Sequence, residues 1–253
     1  MFGRNLFGLA AVGFGLCGVV WPDVALWKSI DPFANIVFAQ ALLYLTSAAA
    51  IAGGIAIQWP RTARAGALVL GVLYLFIVLL WLPHYVLKPL AFDYVPAITE
   101  ELSMLCGAMI VYDGRLARVG YYAFGICVVF FALAQVVYLA YTASLVPAWI
   151  PPGQIFWTNA TTIFFLLAAI ALLTGRYALL AARLLTAMIV GFGLLVWVPA
   201  CLTHPHKLSN WTEIATNFAI AGAAWIVADY VSGKGSSASS GSGLSRILKP
   251  SAR

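Results

Sequence analysis

This sequence contains eight long apolar stretches, and each has the length that a helix needs to cross a lipid bilayer. Crossing the hydrocarbon takes about 20 residues, and only a helix or a closed barrel satisfies every backbone polar group there. Hydrophobic residues make up 63% of the chain and charged residues only 9%, which is far from the composition of soluble proteins. The sequence therefore predicts an all-α, multi-pass membrane protein with about eight transmembrane helices, at residues 5–22, 36–58, 65–86, 94–112, 119–142, 154–174, 178–199 and 211–231.

The basic residues are divided unequally between the two sides of these helices. The N-terminus, the loops after the second, fourth and sixth helices, and the C-terminal tail carry 11 of the 14 Lys and Arg residues. Positively charged loops are retained in the cytoplasm, so both termini are predicted to be cytoplasmic and the lipid bilayer is the expected partner. Because the basic residues are scattered between apolar runs, no nucleic-acid partner is predicted.

An internal duplication relates the two halves of the chain. At a shift of 116 residues, Trp-x-Pro, Pro and Asp recur in register: Trp81-Leu82-Pro83 matches Trp197-Val198-Pro199, Pro89 matches Pro205, and Asp113 matches Asp229. We predict two four-helix repeats, residues 1–114 and 115–231, followed by a flexible Gly/Ser-rich cytoplasmic tail at 232–253. An even number of helices per repeat gives both copies the same orientation, related by a pseudo-twofold axis along the membrane normal.

Two adjacent carboxyl groups, Glu100 and Glu101, lie inside the fourth predicted helix, about 10 Å deep at 1.5 Å per residue. An ionised carboxylate at that depth costs several kcal/mol unless it faces a polar cavity or a partner. At the repeat shift Glu101 corresponds to Asn217. We predict that Glu101 and Asn217 face a shared cavity, with a buried hydrogen bond between helices as the alternative.

Other polar residues cluster on the predicted outer side. They are His84, His204, Asn210, Trp211 and Glu213, and together with Glu100 they complete the set of candidate ligand-binding or intramembrane polar residues. Asn210 or Ser209 with Glu213 is also a plausible capping arrangement for the last helix. His204 and His206 have no fixed third ligand, so no metal site is predicted.

The segment Asn210-Trp211-Thr212-Glu213, followed by Asn217 and the small-residue run from Ala219 to Trp225, resembles the opening of the last helix in the DoxX-like family of membrane proteins. The first repeat departs from this pattern, with Tyr94-Val95-Pro96-Ala97 at the corresponding place. The resemblance implies a bacterial inner-membrane protein, in a family whose relatives include an oxidoreductase that passes electrons from thiosulfate to quinone. No haem or nucleotide motif is recognisable, so the residues identify no cofactor. A quinone is the cofactor that the resemblance implies.

These observations favour a subunit or accessory factor of a redox or quinone-linked pathway, with a redox-protein partner and an outward-facing small-molecule pocket near Glu101, His84, His204 and Asn217. A transporter or channel that moves a small solute between the repeats is one alternative. A membrane scaffold for partner proteins is the other. Whether the protein is an enzyme stays open at this point.

Overall fold

The computed structural model of this protein describes residues 2–23, 26, 38–81, 92–112 and 114–247, with side chains as far as residue 233. These residues form helices and no strand. Eight of the helices are long and apolar enough to cross a membrane. The predicted all-α, eight-helix membrane architecture is therefore confirmed.

The helices follow one another with short connections. Their bounds are α1 Phe2–Val20, α2 Ala39–Ala56, α3 Ala63–Leu80, α4 Val95–Tyr112, α5 Gly114–Val137, α6 Leu139–Leu145, α7 Gln154–Thr174, α8 Ala178–Thr203 and α9 Leu208–Ile247. A 3₁₀ turn, Phe92–Tyr94, precedes α4, and α8 contains one π-helical turn, Gly193–Trp197. All except the short α6 are candidate membrane spans, and the apolar part of α9 ends at Gly233.

The fifth helix lies five residues earlier in the chain than the sequence predicts, at Gly114–Val137 instead of 119–142. It ends at Val137 instead of continuing to 142, and the separate helix α6 follows it. Tyr138 between them has φ −105° and ψ 37°, which is outside the helical region. The backbone thus breaks at the outer end of α5, where an apolar run alone predicts continuity.

The C-terminal segment is helical over a longer stretch than its composition predicts. The backbone of α9 stays helical to Ile247, although Gly and Ser are poor helix formers and the sequence predicts a flexible tail from residue 232. The mobility of this tail stays a prediction. Residues 248–253 lie outside the described part of the chain.

The packing order places α4 and α9 side by side at the centre. α1 packs on α2 and α9, α2 on α3, α3 on α4, and α4 on α5 and α9. α5 packs on α7, α7 on α8, and α8 on α9. Exchanging α1, α2, α3 and α4 for α5, α7, α8 and α9 leaves this set of pairings unchanged. Such a pattern is what two related four-helix units would produce, and the duplication itself stays a prediction.

Close contacts recur when α1 and α5 are aligned at a shift of 117 residues, one more than the shift at the later helices. A Cβ atom added to Gly3 of α1 would lie 2.8 Å from the backbone nitrogen of Ile226 in α9, and one added to Gly120 of α5 would lie 3.3 Å from Ile110 in α4. The matched aromatic side chains Phe7 and Phe124 are both fully buried. In lipid there is no hydrophobic driving force between helices. Small residues therefore favour association, because they let the helix backbones approach closely.

The centre of the bundle is the contact between Gly107 of α4 and Ala223 of α9. A Cβ atom on Gly107 would lie 2.8 Å from the Cβ atom of Ala223. These two positions are 116 residues apart, the repeat shift, so they are predicted equivalents that touch each other. A pseudo-twofold axis would have to pass between them, because only on such an axis do equivalent positions meet.

The π turn in α8 would explain a change in the predicted repeat shift. The first residues of α3 and α8, Ala63 and Ala178, are 115 residues apart, whereas Trp81 and Trp197 are 116 apart. A π turn accommodates one extra residue in an otherwise α-helical segment. The turn at Gly193–Trp197 lies between the two comparison points, which accounts for the additional residue.

The orientation of the helices gives a first prediction. We expect alkaline phosphatase to be active in bacteria when it is fused after Trp149, between α6 and α7, and inactive when it is fused after Arg176, between α7 and α8. The physical reason is that the basic loops are retained on the cytoplasmic side. A fluorescent protein at the C-terminus should fluoresce in the same cells. Activity after Arg176 and none after Trp149 would show that the topology is the reverse of the predicted one.

Packing at Gly222 gives a second prediction. A Cβ atom there would lie 2.5 Å from the backbone nitrogen of Phe7, whereas one on Gly191 would meet no atom within 4 Å. We expect Gly222→Ala to lower the free energy of unfolding by about 1–3 kcal/mol through overpacking. Gly191→Ala is the matched control and should be neutral or slightly stabilising, because Ala is the better helix former. Thermal unfolding in detergent measures both, and equal midpoints would contradict the close α1–α9 packing.

Candidate functional site

The outer end of the bundle is defined here as the end that holds the first residues of α4 and α9, which the charge distribution predicts to face away from the cytoplasm. A cavity of about 500 Å³ lies there, bounded by residues of α3, α4, α5, α6, α7, α8 and α9. We call it the outer cavity. Its walls are mainly aromatic: Trp81, Phe131, Tyr138, Phe165, Phe192 and Trp197.

Three carboxyl groups also line the outer cavity. Asp93 comes from the turn before α4, Glu100 from α4 and Glu213 from α9. Among the described residues that line this cavity there is no Lys, Arg or His. The arrangement combines flat apolar surfaces with proton-exchanging groups at one side.

The amide of Gln135, near the C-terminal end of α5, also lines this cavity. Its Oε1 lies 2.8 Å from the Oγ1 of Thr162 and 3.2 Å from the Oγ1 of Thr161, both in α7. The amide nitrogen makes no hydrogen bond to a described residue. The two threonines hold the plane of the amide, so its other hydrogen-bonding group is available to a molecule in the cavity.

Sequence reasoning did not select Gln135. The available signal was a neutral amide within a long apolar run, which in a membrane helix needs a partner as much as a carboxyl group does. At the predicted equivalent position the first half has Gly18, which packs against Ser47 and Leu26. The side chain of Leu26 is 5% exposed and occupies the space next to α1. The two halves therefore differ at the place where the outer cavity lies.

A hydrogen bond between Tyr138 and Asp93 closes one side of the outer cavity. The Tyr138 hydroxyl donates to Asp93 Oδ1 over 2.5 Å, and the Tyr138 ring lies 6.1 Å from the ring of Phe92. This hydrogen bond, with smaller contributions from desolvation and the carboxylate charge, raises the pKa of Tyr138 above its usual value. Tyr138 thus stays a protonated donor. The contact also coincides with the break between α5 and α6.

A narrow cleft of about 40 Å³ adjoins the carboxyl groups at the outer end of α4 and α9. We call it the acid cleft, and its polar lining consists of Glu100, Glu101, Thr212, Glu213 and Thr216. Glu100 and Glu213 line both the acid cleft and the outer cavity. A space of this size holds water and no organic molecule. Glu100 and Glu213, both predicted site residues, therefore lie between the outer cavity, which is large enough for a ligand, and the acid cleft, which is large enough only for water.

Glu101 and Asn217 do not face one cavity, which corrects the prediction from the sequence. Glu101 is buried in the bundle, and its Oε2 accepts a hydrogen bond of 2.9 Å from Trp81 Nε1 of α3. Asn217 lies against the π turn of α8, where a Cβ atom on Gly193 would be 2.7 Å from its Oδ1. Equivalent positions off a twofold axis point away from each other, each toward its own neighbouring helix. For Glu101 the structure shows the alternative, a buried hydrogen bond between helices.

Asn210 and Trp211 connect parts of the fold. The Nδ2 of Asn210 donates to the carbonyl of Ala200 in α8 over 2.8 Å, and the side chain is buried. Trp211 donates to the carbonyl of Pro205 over 2.8 Å and stacks on Trp21 with ring centres 6.4 Å apart. Both residues therefore hold α9 against α8 and α1, and Asn210 bonds the end of α8 instead of capping α9.

Of the predicted histidines, the structure describes only His204, which does not line the outer cavity. His204 is exposed after α8, where its Nδ1 lies 3.0 Å from the Oγ1 of Thr203. His84 lies outside the described residues. Within the described ranges, no group of three or more His, Cys, Asp or Glu side chains could hold a metal ion.

Comparison with known proteins gives no relative: no protein-family model, no curated protein and no solved structure matches the chain.

The bond between Trp81 and Glu101 gives a third prediction. We expect Trp81→Phe to lower the free energy of unfolding by about 1–3 kcal/mol, because a buried acceptor loses its indole donor. Trp197→Phe is the control, since Trp197 is the predicted repeat equivalent and no described residue accepts a hydrogen bond from its indole. Thermal unfolding in detergent compares the two. Equal destabilisation by both substitutions would show that ring volume matters and the hydrogen bond does not.

Proposed function

We propose that this protein binds a small lipophilic molecule with a flat ring and carbonyl oxygens, of the quinone class, in the outer cavity. The amide of Gln135 carries this proposal, because it is oriented by two threonines and presented to a cavity with aromatic walls. The cavity volume falls in the usual range for small-molecule sites, which are mostly apolar with a few placed polar groups.

The residues around the cavity suit such a ligand in distinct ways. Trp81 and Trp197 offer flat surfaces on which a ring can stack. The Gln135 amide is a neutral hydrogen-bonding group for a ring oxygen. Glu100 and Glu213 line the cavity and the acid cleft together, so they can exchange protons between a bound molecule and water, as positioned carboxyl groups do in acid–base chemistry.

A bound quinone would supply two-electron chemistry, taking up two electrons from a redox partner protein and two protons. The chain itself would bind and orient the ring and deliver the protons through Glu100 and Glu213. On this proposal the protein is a subunit or accessory factor of a redox or quinone-linked pathway. Its resemblance to the DoxX-like family supports that role, and with it a bacterial inner membrane and cytoplasmic termini.

We also propose that the two four-helix units arose by duplication and then diverged. The matched pairings of the helices support this, as does the contact between the equivalent positions Gly107 and Ala223. Residues of both units line the outer cavity, and Gln135 of the second unit lies where the first unit has Gly18. A symmetric pair of sites is therefore not expected.

Co-purifying small molecules give a fourth prediction and test the proposed function. We expect mass spectrometry of an organic extract of the protein, purified in mild detergent, to detect a quinone in stoichiometric amount. Gln135→Leu removes the hydrogen-bonding amide and should reduce the bound amount roughly three- to tenfold. Glu213→Gln removes a titratable group and should impair proton exchange more than binding.

The matched control is Gln40→Leu, the same substitution at an exposed position of α2. It should leave the bound amount unchanged. If only bulk lipid is extracted, in equal amounts from wild type and Gln135→Leu, the quinone proposal is wrong. The transporter and scaffold alternatives would then take its place.

A further inference from the structure

An apolar groove runs along the bundle surface between α7 and α8. Its volume is about 450 Å³, and its walls include Leu167, Ala171, Leu180, Ala181 and Leu184. From Trp157 to Ala171 it follows α7 for about 21 Å at 1.5 Å per residue. Leu167, Leu180 and Leu184 are each 56% exposed, so the groove faces the lipid. We call it the α7–α8 groove.

A second, smaller space joins this groove to the outer cavity. It measures about 170 Å³ and shares Gln135, Phe192 and Trp197 with the outer cavity. It shares Trp157 and Thr161 with the α7–α8 groove. Thr161 also lies within hydrogen-bonding distance of the Gln135 amide. The three spaces therefore adjoin in series, from the acidic outer cavity to the lipid-facing groove.

The side chains at the helix crossing explain why the groove lies in this half. In the first half, a Cβ atom on Gly53 would lie 2.8 Å from Leu70, and one on Gly66 would lie 2.3 Å from the backbone nitrogen of Ile57, so α2 and α3 meet closely. If α2 and α7 are aligned by pairing Gln40 with Asn159, and α3 and α8 by pairing Ala63 with Ala178, the second half has Leu172 and Ala181 at the equivalent positions. Larger side chains at a crossing hold two helices further apart.

From this series of spaces we infer that the ligand is an amphiphile with a long apolar chain, which enters sideways from the bilayer and lays its chain in the α7–α8 groove. The inference rests on the proposed function, because the head of the same molecule occupies the outer cavity. Polarity falls along the path in the order that such a molecule needs: three carboxyl groups and an amide in the outer cavity, and aliphatic side chains in the groove.

Lateral entry also fits the position of the hydrogen-bonding groups. Gln135 lies where the outer cavity meets the smaller space, so it would contact the junction between the head and the chain. A molecule without a chain would fill the cavity alone and leave the groove to lipid. Chain length is therefore the property that this site should distinguish.

A photolabelling experiment tests this inference with the full-length protein in phosphatidylcholine nanodiscs. The probe is a benzoquinone whose decyl chain ends in a diazirine, and a methyl-substituted benzoquinone that bears a diazirine on its ring is the short analogue. We expect the decyl probe to label peptides that contain Leu167, Leu184 or Met188, and the short analogue to label the outer cavity. Ala181→Phe should reduce groove labelling about tenfold by steric exclusion and leave labelling by the short analogue unchanged.

Ala187→Phe is the matched control, because Ala187 is exposed on the same helix and does not line the groove. It should leave both labelling patterns unchanged. A phosphatidylcholine that carries the same diazirine at its chain end tests bulk lipid. Equal groove labelling by this lipid at the same mole fraction would overturn the inference, as would groove labelling that Ala181→Phe does not reduce.

The outcomes separate this inference from the proposed function. If the short analogue labels the outer cavity, and the decyl probe labels it without labelling the groove, the site binds quinones but the chain does not use the groove. If neither probe labels the outer cavity and neither is affected by Gln135→Leu, the proposed function fails and the present inference fails with it.

Discussion

The close contact of α4 with α9 is the interaction on which the rest of this bundle depends. In a bilayer there is no hydrophobic driving force between helices, so association relies on packing and on hydrogen bonds. Gly107 and Ala223 allow the two helix backbones to approach, and Gly222 and Gly3 seat α1 against α9 in the same way. Once these helices are in contact, the outer ends of α4 and α9 bring Glu100 and Glu213 to one place. The acidic side of the cavity is thus a consequence of central packing.

The bundle uses its intramembrane polar groups in two ways. Glu101 is satisfied by the indole of Trp81, and Asn210 by the carbonyl of Ala200, so both stabilise contacts between helices. Gln135 is held by two threonines of α7 and still presents a hydrogen-bonding group to the outer cavity. A polar group that is oriented by protein and turned toward an open space is the arrangement that binding sites require, because orientation is then fixed before the ligand arrives.

The two halves of the bundle differ in where they leave space between helices. Both halves arrange their helices with the same pairings, yet small residues close the first half around Gly18 and Gly53. The crossing of α7 and α8 has larger residues, and three adjoining spaces lie beside it. The difference in open space between the halves thus follows from the volumes of a few side chains.

The sequence by itself determined the number and approximate bounds of the spanning helices, because hydropathy and the length needed to cross the hydrocarbon are local properties. It also identified Glu100 and Glu213 as candidates, since a carboxyl group inside an apolar run is conspicuous without any structure. It misassigned Glu101 and Asn217 to one cavity, and it missed Gln135 and the break at Tyr138. Only the tertiary structure decided these points, because the direction in which a helical side chain points depends on which helix packs beside it. Helix-to-helix pairing is a long-range property that no stretch of sequence specifies alone.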